Sequence, residues 1–146
     1  MSYTYKYPRP TLTVDAIVFR KNPDSEILLI QRSAEPYENM WAFPGGFVDM
    51  DETAEQAVVR ELYEETALKE INLKQFHTFS DVNRDPRHRT ITIAFGGFMN
   101  EILNPNAGDD ARQARWFPLS ELPKLAFDHG EILEKFLKEK FIEKCK

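Results

Sequence analysis

Residues 43–68 read FPGGFVDMDETAEQAVVRELYEETAL, a turn, a helix start and then a helix with carboxylates on its apolar side. Thr53 followed by Gln56 has the form of a capping box, so the pattern predicts a helix beginning there. The Thr hydroxyl can accept from a free backbone N–H while Gln56 reaches back. At about 100° per residue, Ala54, Ala57, Val58, Glu61, Glu64, Glu65 and Leu68 fall within an arc of roughly 120°. The small and apolar members mark the face packed on a core. Glu61, Glu64 and Glu65 share it.

Carboxylates gathered at the edge of a core repel one another and lose hydration, at several kcal/mol per ion if unpaired. Arg60 lies four residues before Glu64 and can pair with one of them. The remaining negative charge consists of hard oxygen donors and suits Mg²⁺ or Mn²⁺. A solvated acidic face is the plain alternative, but the apolar residues on the same arc and the Pro44-Gly45-Gly46 turn argue against it. Paired glycines ahead of a helix let the backbone come close to a ligand.

The rest of the chain bounds the setting. A length of 146 residues makes a single domain, 1–146, large enough to bury roughly two-thirds of its unfolded surface. A formal charge of −5 argues against a nucleic-acid polymer as partner, because no basic stripe exists to displace counterions. No run approaches the length of a membrane span, and MSYTYKYPRP has no apolar signal core. The lone Cys145 reads as an exposed thiol in a reducing compartment, the cytoplasm.

Residues 1–10 read as an extended arm, either a loose terminus or a segment that packs on a partner subunit. TLTVDAIVF (11–19) and EILLIQ (26–31) are predicted strands of a hairpin turning at Asn22-Pro23-Asp24-Ser25. Arg32, just past the second strand, could reach a phosphate or cap a surface carboxylate. Trp41 reads as a core or lid aromatic. Strands are expected over Ile71–Val82, with Phe76 out of phase, and over Thr90–Met99 and Ala111–Phe117. Ser120-Glu121-Leu122 could make one helical turn.

Between the strands, SDVNRDPRHR (80–89) is a charged loop on which Arg84, Arg87 and Arg89 could clamp a phosphate or pair locally with Asp. Asp109 or Asp110 could face the active site as a further acid, or solvate its loop. Asp128 and Glu131 resemble a second capping box, opening a helix to about Glu143 with an apolar stripe at Ile132, Leu133, Phe136, Leu137 and Phe141. The three His are scattered without zinc-ligand spacing, and no nucleophile elbow occurs.

Gly46, Glu52, Arg60-Glu61-Leu62, Glu64-Glu65 and Ala67-Leu68, at their fixed spacing, resemble the signature box of the Nudix hydrolases. Only Ala67 departs, standing where that family usually has Gly. Ala in a left-handed helix exit costs about 1 kcal/mol, a matter of the helix end and not of the acids. The loop SDVNRDPRHRT and the segment AGDDARQARWFPLSELPKLAFDH resemble prokaryotic ADP-ribose pyrophosphatases of that family. Val82 and His88 depart from the subgroup, where Pro and a small residue are common.

The resemblance implies a Nudix-type α/β/α sandwich with a mixed central sheet, and Mg²⁺-dependent hydrolysis of ADP-ribose to AMP and ribose 5-phosphate. By the same likeness, Glu61 and Glu65 are the main metal ligands, joined by the Gly45 carbonyl, and Glu64 shares a cation or acts as base. Glu52 and Arg60 orient the helix through a salt link. Arg32, Arg84, Arg87, Gly46 and Asp109 belong to the substrate side. Family members are often homodimers. Two rivals share the box: a hydrolase of nucleoside triphosphates, including oxidised ones, and a non-catalytic ADP-ribose sensor. The sensors carry an eroded box and a DNA-binding extension; here all box carboxylates stand, and the chain ends soon after its last helix.

Overall fold

The computed structural model describes residues 2–21, 25–100, 103–108 and 111–146. Its organising strand is β1 (Thr11–Lys21), which pairs in parallel with β6 (Thr90–Met99) in unbroken register from Thr11↔Thr90 to Arg20↔Met99. Antiparallel partners of β1 are β2 (Ser25–Arg32) and β4 (Gly45–Phe47). The sheet continues through β3 (Trp41–Ala42) and β7 (Ala111–Pro118) on β2, and through β5 (Lys74–Phe79) on β6. The sheet is therefore mixed, as expected. The expected turn at 22–24 lies outside the described residues.

Strict alternation along β1 builds two cores. Val14, Ala16 and Val18 pack with Ala57, Val58 and Leu62 of helix α1 (Ala54–Thr66). Ile17 and Phe19 point the other way, onto Ile132, Leu133 and Phe136 of helix α2 (His129–Lys138). A strand covered on both faces must be apolar on both, which explains the near-continuous apolar run of residues 14–19. Helices on both faces make the α/β/α sandwich.

Three expectations need correction. The strand after α1 spans only Lys74–Phe79, and a register shift against β6 between Gln75 and His77 accounts for the out-of-phase Phe76. The last helix does not run to Glu143. It stops after Lys138, with Lys140 left-handed (φ 54°), the Lys140 N–H on Leu137 O and the Phe141 N–H on Phe136 O. That is a Schellman ending with Lys where Gly is usual, so the sequence carries no glycine to signal it.

A short helix, α3 (Ile142–Cys145), then folds back and buries Cys145 to 9% exposure in the α2-side core. The thiol is thus not exposed, and burial pushes its pKa up. The short turn before α2 is a 3₁₀ turn at Leu119–Glu121. Residues 2–10 form no strand; Tyr3, Tyr5 and Tyr7 are exposed. Among the described residues no helix is long and apolar enough to cross a membrane.

Candidate active site

The box begins with two close approaches. Gly45 and Gly46 pair with Asp15 and Val14 of β1. A Cβ on Gly45 would strike the Val14 carbonyl, and one on Gly46 would meet the Glu61 carboxylate at 2.5–2.7 Å. Neither glycine has positive φ, so space and not backbone conformation excludes a side chain there. The capping box is complete: Thr53 Oγ1 accepts from the Gln56 N–H at 3.0 Å, and Gln56 Oε1 accepts from the Thr53 N–H at 2.9 Å. At the other end Ala67 is left-handed (φ 63°) and donates its N–H to Tyr63 O.

The buried stripe of α1 differs in one detail from the expected arc. Ala57, Val58, Leu62, Glu65 and Thr66 are buried, while the Glu64 side chain is 38% exposed. Glu61 lies between them, with 15% of its side chain exposed.

Arg60 is the hub of the acidic side. Its Nε and Nη2 grip Glu52 at 3.0 and 2.6 Å, and Nη2 also donates to Phe47 O at 3.0 Å. Its Nη1 donates to Glu61 Oε1 at 2.9 Å and to Glu64 Oε2 at 3.1 Å. Asp49 approaches the same guanidinium at 3.6 Å. The Arg60 hydrogen bonds and the Asp49 N–H hold Glu52 down to a pKa of about 2. Glu61 moves the other way: burial raises its pKa despite the Arg60 bond. Glu65 is buried and accepts from the Gly45 N–H at 2.7 Å.

One guanidinium therefore serves Asp49, Glu52, Glu61 and Glu64, with Glu65 beside them. Among the described residues no three such side chains converge as an ion cage; Arg60 and the Gly45 N–H hold these carboxylates. The donor set still fits a hard divalent cation. It is an excess of carboxylates lining one cavity, and Glu61 occupies the space that a side chain at residue 46 would fill.

That cavity, about 470 Å³, is lined by Gly45, Gly46, Glu61, Glu64 and Glu65 and also by Arg32, Arg84 and Arg87. Each guanidinium is oriented by a local acceptor. Arg84 (side chain 4% exposed) grips Asp128 at 2.9 and 2.7 Å. Arg87 grips Asp85 at 3.1 and 2.7 Å. Arg32 Nε donates to Pro36 O at 2.7 Å. Burial opposes the charge on Asp85, but the Arg87 bonds, its backbone N–H and its charge outweigh that and lower the pKa. Because Asp128 is taken by Arg84, it makes no side-chain cap to α2, unlike the capping box expected there. Arg89 Nη1 donates to Asp81 O at 3.4 Å, and Arg89 is not among the described residues lining the cavity. Asp109 and Asp110 lie outside the described residues.

Two polar residues on the cavity floor escaped the sequence reading. Asp15 on β1 accepts from Thr92 Oγ1 at 2.7 Å and lies 3.6 Å from His129 Nε2. The other ring nitrogen, Nδ1, accepts from the Phe43 N–H at 3.2 Å, and the ring stacks on Phe43. Burial raises the Asp15 pKa to about 6 and depresses that of His129 to about 3. The imidazole is thus neutral. A signal existed for one of them: an Asp inside a strand buried on both faces conflicts with its surroundings and marks a polar site. Trp41 packs edge-on against Phe117 in the core, as expected of it.

The NUDIX domain model matches residues 10–136. An ADP-ribose pyrophosphatase of Methanocaldococcus jannaschii is 42% identical over 92% of this chain and 77% of its own length. The ADPR-responsive transcriptional repressor NtrR of Acinetobacter baylyi is 34% identical over 88% of the chain, which spans only 53% of that protein. Among solved structures, the NUDIX domain of Shewanella oneidensis NrtR complexed with ADP ribose superposes with a TM-score of 0.87, at 32% identity, covering 94% of this chain and 93% of that one. With the fold, the box geometry and these matches in agreement, the chain belongs to the Nudix family.

Proposed function

We propose that this Nudix hydrolase cleaves the pyrophosphate bond of a nucleoside diphosphate derivative, with ADP-ribose, giving AMP and ribose 5-phosphate, as leading substrate. The observation that carries the reading is one cavity lined by both carboxylates and guanidiniums. Glu61, Glu64 and Glu65 line it, and so do Arg32, Arg84 and Arg87. Guanidiniums can bind anionic phosphates, and carboxylates in excess of the one Arg60 guanidinium can hold the divalent cation that such chemistry uses.

Glu61 and Glu65, with the Gly45 carbonyl and a share of Glu64, would hold Mg²⁺ or Mn²⁺. Such an ion neutralises diphosphate oxygens and acidifies water. Arg60 and Glu52 keep α1 locked to the turn, so the carboxylates stay in place. Arg84, Arg87 and Arg32 bind and orient the diphosphate. Glu64, the most exposed of the three acids, either shares the cation or takes the proton of the attacking water. One P–O bond forms from water, the bridging P–O bond breaks, and the two phosphomonoesters leave.

On the same reading a single domain acts in the cytoplasm on a small nucleotide and not on a nucleic-acid polymer; homodimerisation, common in the family, is tested by sedimentation of the chain with and without residues 1–10. A second reading has its own support in the likeness to NtrR and NrtR: the cavity binds ADP-ribose as a signal. The complete set of box carboxylates favours turnover.

The test is a product assay with Mg²⁺ and separate ADP-ribose, NADH, diadenosine polyphosphate, dGTP and 8-oxo-dGTP. AMP mainly from ADP-ribose is expected. Turnover of a triphosphate alone would remove the substrate assignment, and ADP-ribose binding without product would establish the sensor.

A further inference from the structure

The three guanidiniums of the cavity come from distant parts of the chain, Arg32 from the end of β2 and Arg84 and Arg87 from the 80–89 loop. All three meet two adjacent residues just before α2. The Phe127 ring has the Arg32 guanidinium 4.9 Å and the Arg87 guanidinium 5.4 Å from its centroid. The next residue, Asp128, takes Arg84 in a two-point grip at 2.9 and 2.7 Å. Phe127 is left-handed (φ 52°), a conformation that a bulky residue adopts only when its surroundings impose it. Tyr37, also left-handed (φ 62°), packs its ring 4.8 Å from that of Phe127. The segment is anchored on both sides: the Ala126 N–H donates to Trp41 O at 2.7 Å, and His129 accepts from the Phe43 N–H.

Like charges lining one cavity repel and would swing into solvent. A ring face attracts a guanidinium without adding a further negative charge beside it, so the ring contact positions the cation and leaves its field toward a ligand undiminished by the contact. A carboxylate in the same place as the ring would bind Arg32 and Arg87 but cancel them. Arg87 is also gripped by Asp85 and lies 5.4 Å from the centroid of the Phe47 ring; Phe127 adds a contact that joins Arg87 to Arg32.

We propose that Phe127 and Asp128 are positioning residues for the diphosphate. Phe127 holds Arg32 and Arg87 at the cavity by its ring, and Asp128 fixes Arg84 beside them. The proposal rests on the functional reading above, through the diphosphate as ligand.

Calorimetric binding of two ligands, inorganic pyrophosphate and an ADP-ribose whose phosphates are bridged by methylene, tests it in the full chain with Mg²⁺ present. Phe127→Leu keeps the backbone penalty and removes the ring. Both Kd values are expected to rise about tenfold, with KM for ADP-ribose rising in step and kcat changing less than about threefold. Phe127→Tyr is expected to restore binding. Asp128→Asn, an independent variant, is expected to weaken both ligands by a similar factor. Melting temperatures are recorded for each variant. Unchanged Kd values in folded Phe127→Leu and Asp128→Asn overturn the proposal, as does a fall in kcat alone or a failure of Phe127→Tyr to rescue. If the wild type ignores the ADP-ribose analogue, the functional reading fails separately. The pyrophosphate series then decides the positioning role by the same criterion.

Discussion

Replacing Gly46 by Ala separates the chemistry of the site from the stability of the fold. The added Cβ would lie 2.5–2.7 Å from the carboxylate atoms of Glu61. A methyl group needs about 3.5 Å, so the carboxylate must retreat by roughly 1 Å. Backbone strain does not enter, because Gly46 has ordinary φ. The retreat stretches the 2.9 Å bond from Arg60 Nη1, a part-buried interaction whose loss costs about 1 kcal/mol. Restricting the unfolded chain offsets this by about 0.4–1 kcal/mol. Stability should therefore stay within about 1 kcal/mol, or about 2–4 °C in Tm. Activity should not: a displacement of about 1 Å in a catalytic group costs about 100-fold. AMP release from ADP-ribose and scanning calorimetry measure the two quantities on one preparation. Turnover within about threefold of wild type in a folded Gly46→Ala protein would refute the idea that the position of Glu61 matters. Gly45→Ala is the contrasting case. Its Cβ meets the Val14 carbonyl, which cannot yield without opening the β1–β4 pairing, so poor folding is expected.

Three further expectations rest on other parts of the molecule. Ala67→Gly relieves a left-handed Ala at the helix exit and should raise stability by about 1 kcal/mol, read as a rise of about 2–4 °C in Tm, with kcat unchanged. Asp15 and His129 oppose each other in acid. The raised Asp15 pKa contributes stability below its ordinary 3.8 that is lost as pH rises through about 6. The depressed His129 pKa contributes stability above its ordinary 6.5 that is lost as pH falls towards about 3. In Asp15→Asn only the second remains, so denaturant titrations should show stability falling between pH 6.5 and 4 by about 2 kcal/mol more than in wild type; parallel pH profiles would contradict this. Glu65→Gln should leave the fold intact and lower turnover by orders of magnitude in the AMP assay, and near-normal kcat would sink its assignment as a metal ligand.

What was legible in the sequence was whatever depended on local periodicity and fixed spacing. The capping box at Thr53, the limits of β6 and the grouping of Glu61, Glu64 and Glu65 all follow from neighbours a few residues apart. What was not legible depended on partners far along the chain. Asp128 looks like a helix cap until Arg84, 44 residues away, takes both its oxygens. Cys145 looks like an exposed thiol on a tail until a left-handed Lys140 turns α3 back onto the core. His129 seemed one of three scattered histidines because its partners, Asp15 of β1 and Phe43 in the turn before β4, lie 114 and 86 residues earlier in the chain.

The most direct measurement is AMP formed from ADP-ribose as Mg²⁺ is titrated into metal-free protein, beside Glu61→Gln treated identically. Turnover that is absent in EDTA, saturates with Mg²⁺ and nearly vanishes in the variant is the expected result. AMP formation that persists in EDTA, or ADP-ribose bound at every Mg²⁺ concentration with no AMP released, would contradict it.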